Sequence, residues 1–312
     1  MTEDEGERGA AGARGAGERS GQGIAPGSGH SLDPGLYLVA TPIGAARDIT
    51  LRALDVLAAA DDLVAEDTRT LRRLMEIHGI PLRGRRVTSY HDHNGKARRP
   101  RLLAALAEGR SVAYCSDAGT PLVADPGYRL AREAAESGHA VHAVPGASAL
   151  LAALSVAGLP TDRFLFAGFP PPQAGPRARW IAEIASVPAT LVIYETGRRI
   201  GALAAELAAA GHGARDAALC RELTKFHEEV RRVPLAEMAE TLAEEEPPRG
   251  ELVLVVGPPV QAAPSEAEVE AELRAALAEM PLKRAAAQVA ERTGMGKRDV
   301  YQLGLRLKED ER

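Results

Sequence analysis

Ser111-Val-Ala-Tyr-Cys115, followed by Ser116-Asp117-Ala118-Gly119-Thr120-Pro121 and, after Leu-Val-Ala, by Asp125-Pro126-Gly127, is the stretch on which the fold turns. Its first five residues are a short apolar run of the kind that makes a buried strand. Residues 128–137 follow with helical spacing. Asp, Gly and Pro therefore sit where a strand has ended and a helix has not begun. In an open α/β sheet, the crevice beyond the carboxyl ends of the strands is where ligands bind. One such loop is an ordinary strand-to-helix turn. Three more stand in register with it: Thr41-Pro42-Ile43-Gly44, Glu66-Asp67-Thr68-Arg69 and Pro145-Gly146-Ala147-Ser148.

Outward from this stretch, βα units repeat from residue 35 to 158. Strands are expected at 35–40, 62–67, 111–116 and 140–144. Helices are expected after 48–50, from 68 to 79, over 102–108 and 128–137, and from the 145–148 loop to 158. That order predicts a parallel sheet with helices on both faces. After 159–162 the texture changes. A strand over 163–169 precedes a proline-rich stretch (170–176) expected to be mobile, and a helix carries Trp180. Strands at 190–196, 217–222, 226–233 and 250–256 follow, the middle pair joined as a hairpin by 223–225. The fold class is therefore α/β with two domains, a parallel-sheet domain over 34–158 and a mixed-sheet domain over 159–258. Residues 258–264, with three prolines, form a linker. Two short helices separated by Gly294-Met-Gly296 then give a helix-turn-helix-like appendage over 265–308. Residues 1–33 hold nine glycines and almost no large apolar side chain, so a disordered tail is expected there.

Bulk composition excludes several classes. The chain has 312 residues, 45% hydrophobic and 26% charged, with a net charge of −5. That is a globular composition with no global basic field. Two cysteines, Cys115 and Cys220, exclude a disulfide framework or a four-thiolate zinc site and suit a reducing, cytoplasmic setting. No apolar run approaches the roughly 18 residues of a membrane helix, and the acidic N-terminus is not a signal peptide.

The chemistry-bearing residues are concentrated in a few places. Glycine lets the backbone approach a ligand and proline fixes a loop without a donor. The four loops thus make a crevice of main-chain amides and carbonyls, suited to a ligand with an adenine edge and an amino-acid end. No Gly-x-Gly-x-x-Gly and no Walker lysine loop is present, and no Cys/His set has zinc spacing; His91 and His93 with Asp92 are either a metal pair lacking a third ligand or, more often for such a pair, surface histidines. Residues 83–101 carry seven Lys/Arg against one Asp, with Tyr90, His91, His93 and Asn94 among them. Such a run is either a solvated face or a single-stranded RNA site, where cations hold phosphates and rings stack on bases. Residues 281–308 hold seven Lys/Arg and two acids.

At this point a family resemblance is plain. Leu36-Tyr-Leu-Val-Ala-Thr-Pro-Ile-Gly44, Ala65-Glu-Asp-Thr-Arg69, His91-Asp-His-Asn94, the 116–127 stretch, Pro145-Gly146, Gly158-Leu-Pro-Thr-Asp-Arg-Phe164, Tyr194-Glu195, Arg221-Glu-Leu-Thr-Lys225, Gly250-Glu-Leu-Val-Leu254 and Pro281-Leu-Lys-Arg-Ala-Ala-Ala287 occur in order. Together they resemble the ribosomal RNA small-subunit methyltransferase I family, within the tetrapyrrole methylases. Where that family usually has Asn after Thr-Pro-Ile-Gly, Ala45 stands here. The resemblance implies transfer of a methyl group from S-adenosyl-L-methionine to a cytidine 2′-hydroxyl in the decoding centre of 16S rRNA. It also implies a homodimer acting on 16S rRNA or the 30S subunit, with no metal.

The same resemblance implies a cofactor site between the two domains. Pro42, Ile43, Gly44, Ser116, Asp117, Ala118, Gly119, Thr120, Pro145, Gly146 and Ala147 would line it, closed by Phe166, Gly168, Glu251 and Leu252. Asp117 either reaches a cofactor amino or hydroxyl group or caps the following turn. A base must accept the 2′-hydroxyl proton; Glu66, Asp67, His91 and Glu195 are candidates, with Arg69 keeping a neighbouring carboxylate ionised. Arg85, Arg86, His93, Asn94, Lys283 and Arg284 are expected to contact RNA. Arg221 and Lys225 would contact RNA phosphate or form a surface ion-pair strip. Two alternatives are a tetrapyrrole-type small-molecule methyltransferase and a non-catalytic ribosome-assembly factor.

Overall fold

The computed structural model describes residues 31–91, 93–123, 127–259 and 266–310, the side chains of 266 and 308–310 excepted. The expected tail up to residue 30, Asp92, Asp125, Pro126 and most of the 258–264 linker lie outside these residues. The chain divides into two compact units. One runs to Ala152 and includes Leu223–His227; the other holds Ala153–Glu222 and the chain from Glu228 onward.

The first unit is built as β1 (Gly35–Val39), α1 (Leu51–Ala59), β2 (Asp62–Ala65), α2 (Thr68–Ile77), β3 (Val87–Ser89), α3 (Gly95–Ala107), β4 (Ser111–Cys115), α4 (Tyr128–Glu136) and β5 (Val141–Val144), with α5 (Ala149–Ala157) leaving it. All five strands are parallel, in the order β3-β2-β4-β1-β5. Alternate residues of a strand point to opposite faces, and the core divides accordingly. Tyr37, Val39, Leu63 and Cys115 pack under α1 and α2. Leu36, Val64 and Tyr114 pack under α3 and α4 on the other face. Neighbouring β1 and β4 thus send their following helices to opposite faces, which makes β1/β4 the switch point of the sheet.

Two sequence expectations are corrected in this unit. Val87–Ser89, read as part of a basic run, is the edge strand of the sheet. The helix expected over 102–108 begins at Gly95 and carries Pro100 inside it. Lys96, whose carbonyl loses its partner to the proline, is exposed, so water meets that carbonyl and the helix survives.

The second unit contains β6 (Phe164–Gly168), α6 (Ala174–Ala185), β7 (Thr190–Thr196), α7 (Gly197–Leu207), β8 (Asp216–Arg221), β9 (Glu229–Pro234), α8 (Leu235–Glu244) and β10 (Glu251–Val256). Its sheet order is β6-β7-β10-β8-β9. Only β6 and β7 pair in parallel, so the sheet is mixed. The β8–β9 hairpin is present, but its connection spans 222–228 rather than 223–225. The stretch 170–176 differs from the mobile loop expected. α6 opens at Ala174, with Pro176 in its first turn, where a missing N–H costs nothing. Arg199 and Arg177 hold the carbonyls of Pro170 and Pro172 at 2.8 and 3.0 Å.

Three helices close the chain: α9 (Glu266–Glu279), α10 (Leu282–Thr293) and α11 (Lys297–Asp310). They share a core of their own around Val269, Leu273, Val289, Val300 and Leu303. Gly294, at φ 71°, ends α10 in the left-handed conformation that glycine adopts without a Cβ clash.

Candidate active site

The carboxyl ends of β1, β4 and β5 are stitched into one wall. Thr41 and Gly119 exchange backbone hydrogen bonds of 3.0 Å in each direction, an antiparallel bridge between the loops that follow the two switch-point strands. Thr41 Oγ1 donates to the Ser116 carbonyl at 3.2 Å, and Ser116 Oγ to the Gly119 carbonyl at 2.8 Å. Thr120 Oγ1 donates to Ala147 O at 2.9 Å, which ties in the loop after β5. Gly119 stands at φ 82°. At Gly146, a Cβ would lie 2.9 Å from the Cβ of Ala40, so glycine is needed for the loop to lie on β1. Asp117, Ala118, Pro145 and Gly146 are exposed along this wall.

Asp117 bridges to the second strand. Its Oδ1 accepts from Asp67 N at 2.7 Å, so the 116–121 loop is joined to the start of α2. Asp67 is itself the N-cap of α2. It accepts from Arg69 N at 2.8 Å and grips the Arg69 guanidinium at 2.5 to 3.1 Å. The hydrogen bond from that guanidinium lowers the Asp67 carboxyl to about 2. That makes it a weaker base than an ordinary carboxylate, and with Arg69 it clamps the start of α2. A 180 Å³ cavity lies beside this clamp, lined by Thr41, Pro42, Gly44, Thr70, Leu71 and Asp117 among others. Glu66, the neighbouring carboxylate, is half-buried, and its carbonyl accepts from Ser89 Oγ.

The His91 group has a defined polarity. The His91 backbone N–H donates to Asn94 Oδ1 at 2.9 Å, which fixes the amide so that its Nδ2 donates. Nδ2 lies 3.0 Å from His91 Nε2 and 3.3 Å from the Ser89 carbonyl. Nε2 is therefore an acceptor, and in the neutral ring the proton sits on Nδ1. Nδ1 is buried with no partner among the described residues. His91 as placed offers an N–H donor, not a lone pair. Asn94, expected at RNA, instead orients this ring.

A contact invisible in the sequence involves Leu223–His227, which packs with the first unit. Ala45 N donates to Thr224 Oγ1 at 3.1 Å. A Cβ on Gly44 would fall 2.5 Å from Lys225 Cγ and 2.6 Å from Thr224 Oγ1. Lys225 thus packs its stem on the Thr-Pro-Ile-Gly loop. Glu222 and Thr224 hold positive φ values of 49° and 65°. No glycine or asparagine marks the turn, so nothing in the sequence revealed its shape.

The expected residues of the second unit are placed as follows. Glu195 is buried; its Oε1 accepts from Thr196 N at 2.7 Å. Arg199 lies 3.0 Å from Oε2 but off the hydrogen-bonding direction, an attraction by charge alone. This candidate carboxylate is thus buried and engaged by Thr196 and Arg199 of its own unit. Phe166 meets Tyr194 edge-on at 4.9 Å, with the exposed Phe169 beyond. Gly168 has φ 67°. Leu252 is in the core, so only its backbone can face a ligand, whereas Glu251 is exposed. Arg221 donates to Glu229 at 3.1 Å and to Arg249 O, the ion-pair strip rather than a free phosphate contact. Lys283 and Arg284 are exposed at the start of α10.

The family model for tetrapyrrole (corrin/porphyrin) methylases matches residues 35–239, and the model for the RsmI C-terminal HTH domain matches 263–308. A ribosomal RNA small subunit methyltransferase I from Mesorhizobium japonicum is 48% identical over 278 residues, covering 89% of this chain and 94% of the relative. The chain belongs to the ribosomal RNA small subunit methyltransferase I family. Members from Pseudomonas aeruginosa and Escherichia coli O157:H7 are 43% and 42% identical, each across 86% of this chain and 96% and 94% of their own. Among solved structures, diphthine synthase superposes with a TM-score of 0.55 at 20% identity, covering 71% of this chain and 89% of that one. Uroporphyrin-III-C-methyltransferase from Thermus thermophilus superposes at 0.50 and 25%, covering 71% and 93%. The fold is thus shared with both of these proteins, while the sequence relatives are rRNA methyltransferases by name. The crowded contacts of this family member fall on its motifs: Gly44, Gly119, Asp117 and Thr224 are the residues that join one loop to another.

Proposed function

We propose that this chain transfers a methyl group from S-adenosyl-L-methionine to the 2′-hydroxyl of a cytidine in the decoding centre of 16S rRNA. The observation that carries the cofactor site is the Thr41–Gly119 bridge at the β1/β4 switch point. It builds a wall of main-chain groups beside an exposed carboxylate, Asp117. That donor set fits a ligand with an amino-acid end and a base edge, as the sulfonium donor has. The donor supplies an already electrophilic methyl carbon. The chain has to align the ribose oxygen with it and remove one proton. Of the candidate bases, Asp67 is held too acidic, His91 presents a donor and Glu195 packs against Arg199. Glu66 at the end of β2 is the carboxylate left for the role.

The substrate reading rests on the relatives' names and on the exposed cations of 83–101. It implies a cytoplasmic enzyme acting on 16S rRNA or the 30S subunit. A homodimer is supported by the exposed apolar residues Val141, on the edge strand β5, and Leu151. Among the described residues, no helix is long and apolar enough to cross a membrane. The test incubates the protein with methyl-labelled S-adenosyl-L-methionine and either 30S subunits or naked 16S rRNA. Label should appear in RNA and leave one phosphodiester resistant to alkali, the mark of a blocked 2′-hydroxyl. Label on a base, or on a tetrapyrrole and never on rRNA, overturns the proposal.

A further inference from the structure

One charged concavity of the first unit lies away from the carboxyl-end crevice. It is an open trough of 680 Å³ along the edge strand β3, reaching from the amino ends of β2 and β4 to Ser89. Six arginines line it. Two of these have fixed duties: Arg85 donates to the carbonyls of Leu57, Ala60, Leu82 and Pro81, and Arg110 is paired with Asp62 at 2.7 Å. The acids are also occupied, since Asp61 accepts from Ser111 N and Oγ at 2.8 and 2.7 Å. The other four, Arg83, Arg86, Arg98 and Arg101, are exposed. Their side chains make no hydrogen bond or ion pair among the described residues.

The backbone presents them deliberately. Arg85 N closes a turn onto Leu82 O at 2.9 Å, and both central residues, Arg83 and Gly84, are left-handed at φ 49° and 79°. An arginine at such a position is strained where Asn or Gly would not be, and strain of this kind gathers at functional positions. The half-buried anchor at Arg85 holds the turn so that Arg83 and Arg86 flank it. Arg98 and Arg101, three apart on α3, share the facing surface. Arg99, between them, is turned away to Glu133 at 2.8 Å.

We infer that this trough holds consecutive phosphates of the RNA backbone and leads the strand along β3 to the methylation site. Ser89 belongs to both places: it lines the trough, and it contacts Asn94 and the carbonyl of Glu66. The cations are guanidiniums, which bind phosphate oxygens in a planar fork. The trough has no aromatic lining, so it carries position and not sequence. This inference rests on the RNA reading above.

The test measures binding of a 16S rRNA transcript by filter retention over a potassium chloride series. The proteins are wild type, the Arg83→Gln/Arg86→Gln/Arg98→Gln/Arg101→Gln variant, and Arg129→Gln/Arg132→Gln on α4 as a control that removes two cations outside the trough. Each lost contact to single-stranded RNA should flatten the log–log salt slope by about 0.7, so the fourfold variant should lose about 3. Its KM for rRNA should rise more than its kcat falls, with calorimetric affinity for S-adenosyl-L-methionine and the thermal midpoint unchanged. The control should keep the wild-type slope. A wild-type slope in the fourfold variant, or equal flattening in the control, overturns the trough alone. Calorimetric binding of pyrophosphate to wild type, with an unaltered RNA slope in the variant, would assign the arginines to a free polyphosphate and overturn it too. A wild-type protein that neither binds nor methylates rRNA takes the functional proposal down with it.

Discussion

Gly44→Ala is the sharpest probe of how the site is built. The new Cβ would stand 2.5 Å from Lys225 Cγ, 2.6 Å from Thr224 Oγ1 and 3.1 Å from the Leu223 carbonyl oxygen. Ordinary carbon contacts are about 3.5–4.0 Å, so the 223–225 backbone must retreat by about 1 Å. Overpacking of this kind costs about 1–3 kcal/mol. The retreat also breaks the Ala45 N to Thr224 Oγ1 hydrogen bond, worth about 1 kcal/mol. The total is about 2–4 kcal/mol. Urea unfolding followed by far-UV circular dichroism measures it, and amide exchange should rise selectively over 223–227. In a Thr224→Ala/Lys225→Ala background the two nearest clashing atoms are gone, and the cost should fall by about half or more, the coupling expected of touching residues. The argument is refuted if Gly44→Ala is neutral in the wild type, or if its cost is the same in both backgrounds.

Four further outcomes are expected. Asp117→Asn keeps an acceptor for Asp67 N–H and should preserve the thermal midpoint, yet weaken S-adenosyl-L-methionine binding about tenfold, the scale of one charge-assisted hydrogen bond; unchanged affinity would confine Asp117 to shaping the loop. Arg85→Ala strips partners from the carbonyls at the end of α1 and should cost about 2 kcal/mol, whereas Arg86→Ala should leave stability unchanged; equal thermal midpoints would contradict the separation of the two arginines. The Asp61 carboxyl is lowered from its ordinary 3.8, chiefly by the Ser111 backbone N–H. Its contribution is full above pH 3.8 and is lost as pH falls through the lower folded value, so Asp61→Asn should flatten the acid limb of a stability–pH curve measured by thermal melts. Cys115 and Cys220 are buried, with thiols pushed up to about 12 and about 11 by desolvation; a thiol reagent at pH 8 should leave both unmodified until urea unfolds the chain.

Much of this protein was legible in its residues because the signals were local. Apolar runs ending in Gly and Pro placed β1 and β4 with their loops, since a buried parallel strand needs a continuous apolar segment and a ligand-facing turn needs backbone freedom. The order of βα units fixed a parallel sheet, and the motif series fixed the family. What misled were residues whose roles depend on distant partners. Asp117 sits in one strand-end loop, and only the fold shows its carboxylate holding the Asp67 N–H in another. Arg85 and Arg86 are neighbours of identical chemistry, but one is folded onto the end of α1 and the other faces solvent. β3 was hidden because three residues at a sheet edge carry no periodicity.

The residues alone thus determined the α/β class, the loops that carry the site and the kinship of the chain. Tertiary structure decided which charges are free. Thr224 meets Ala45 across 179 positions of sequence, and Asp117 meets Asp67 across 50. Contacts at such separations depend on how strands are ordered in the sheet, and strand order is a property of the whole packed core rather than of any segment within it.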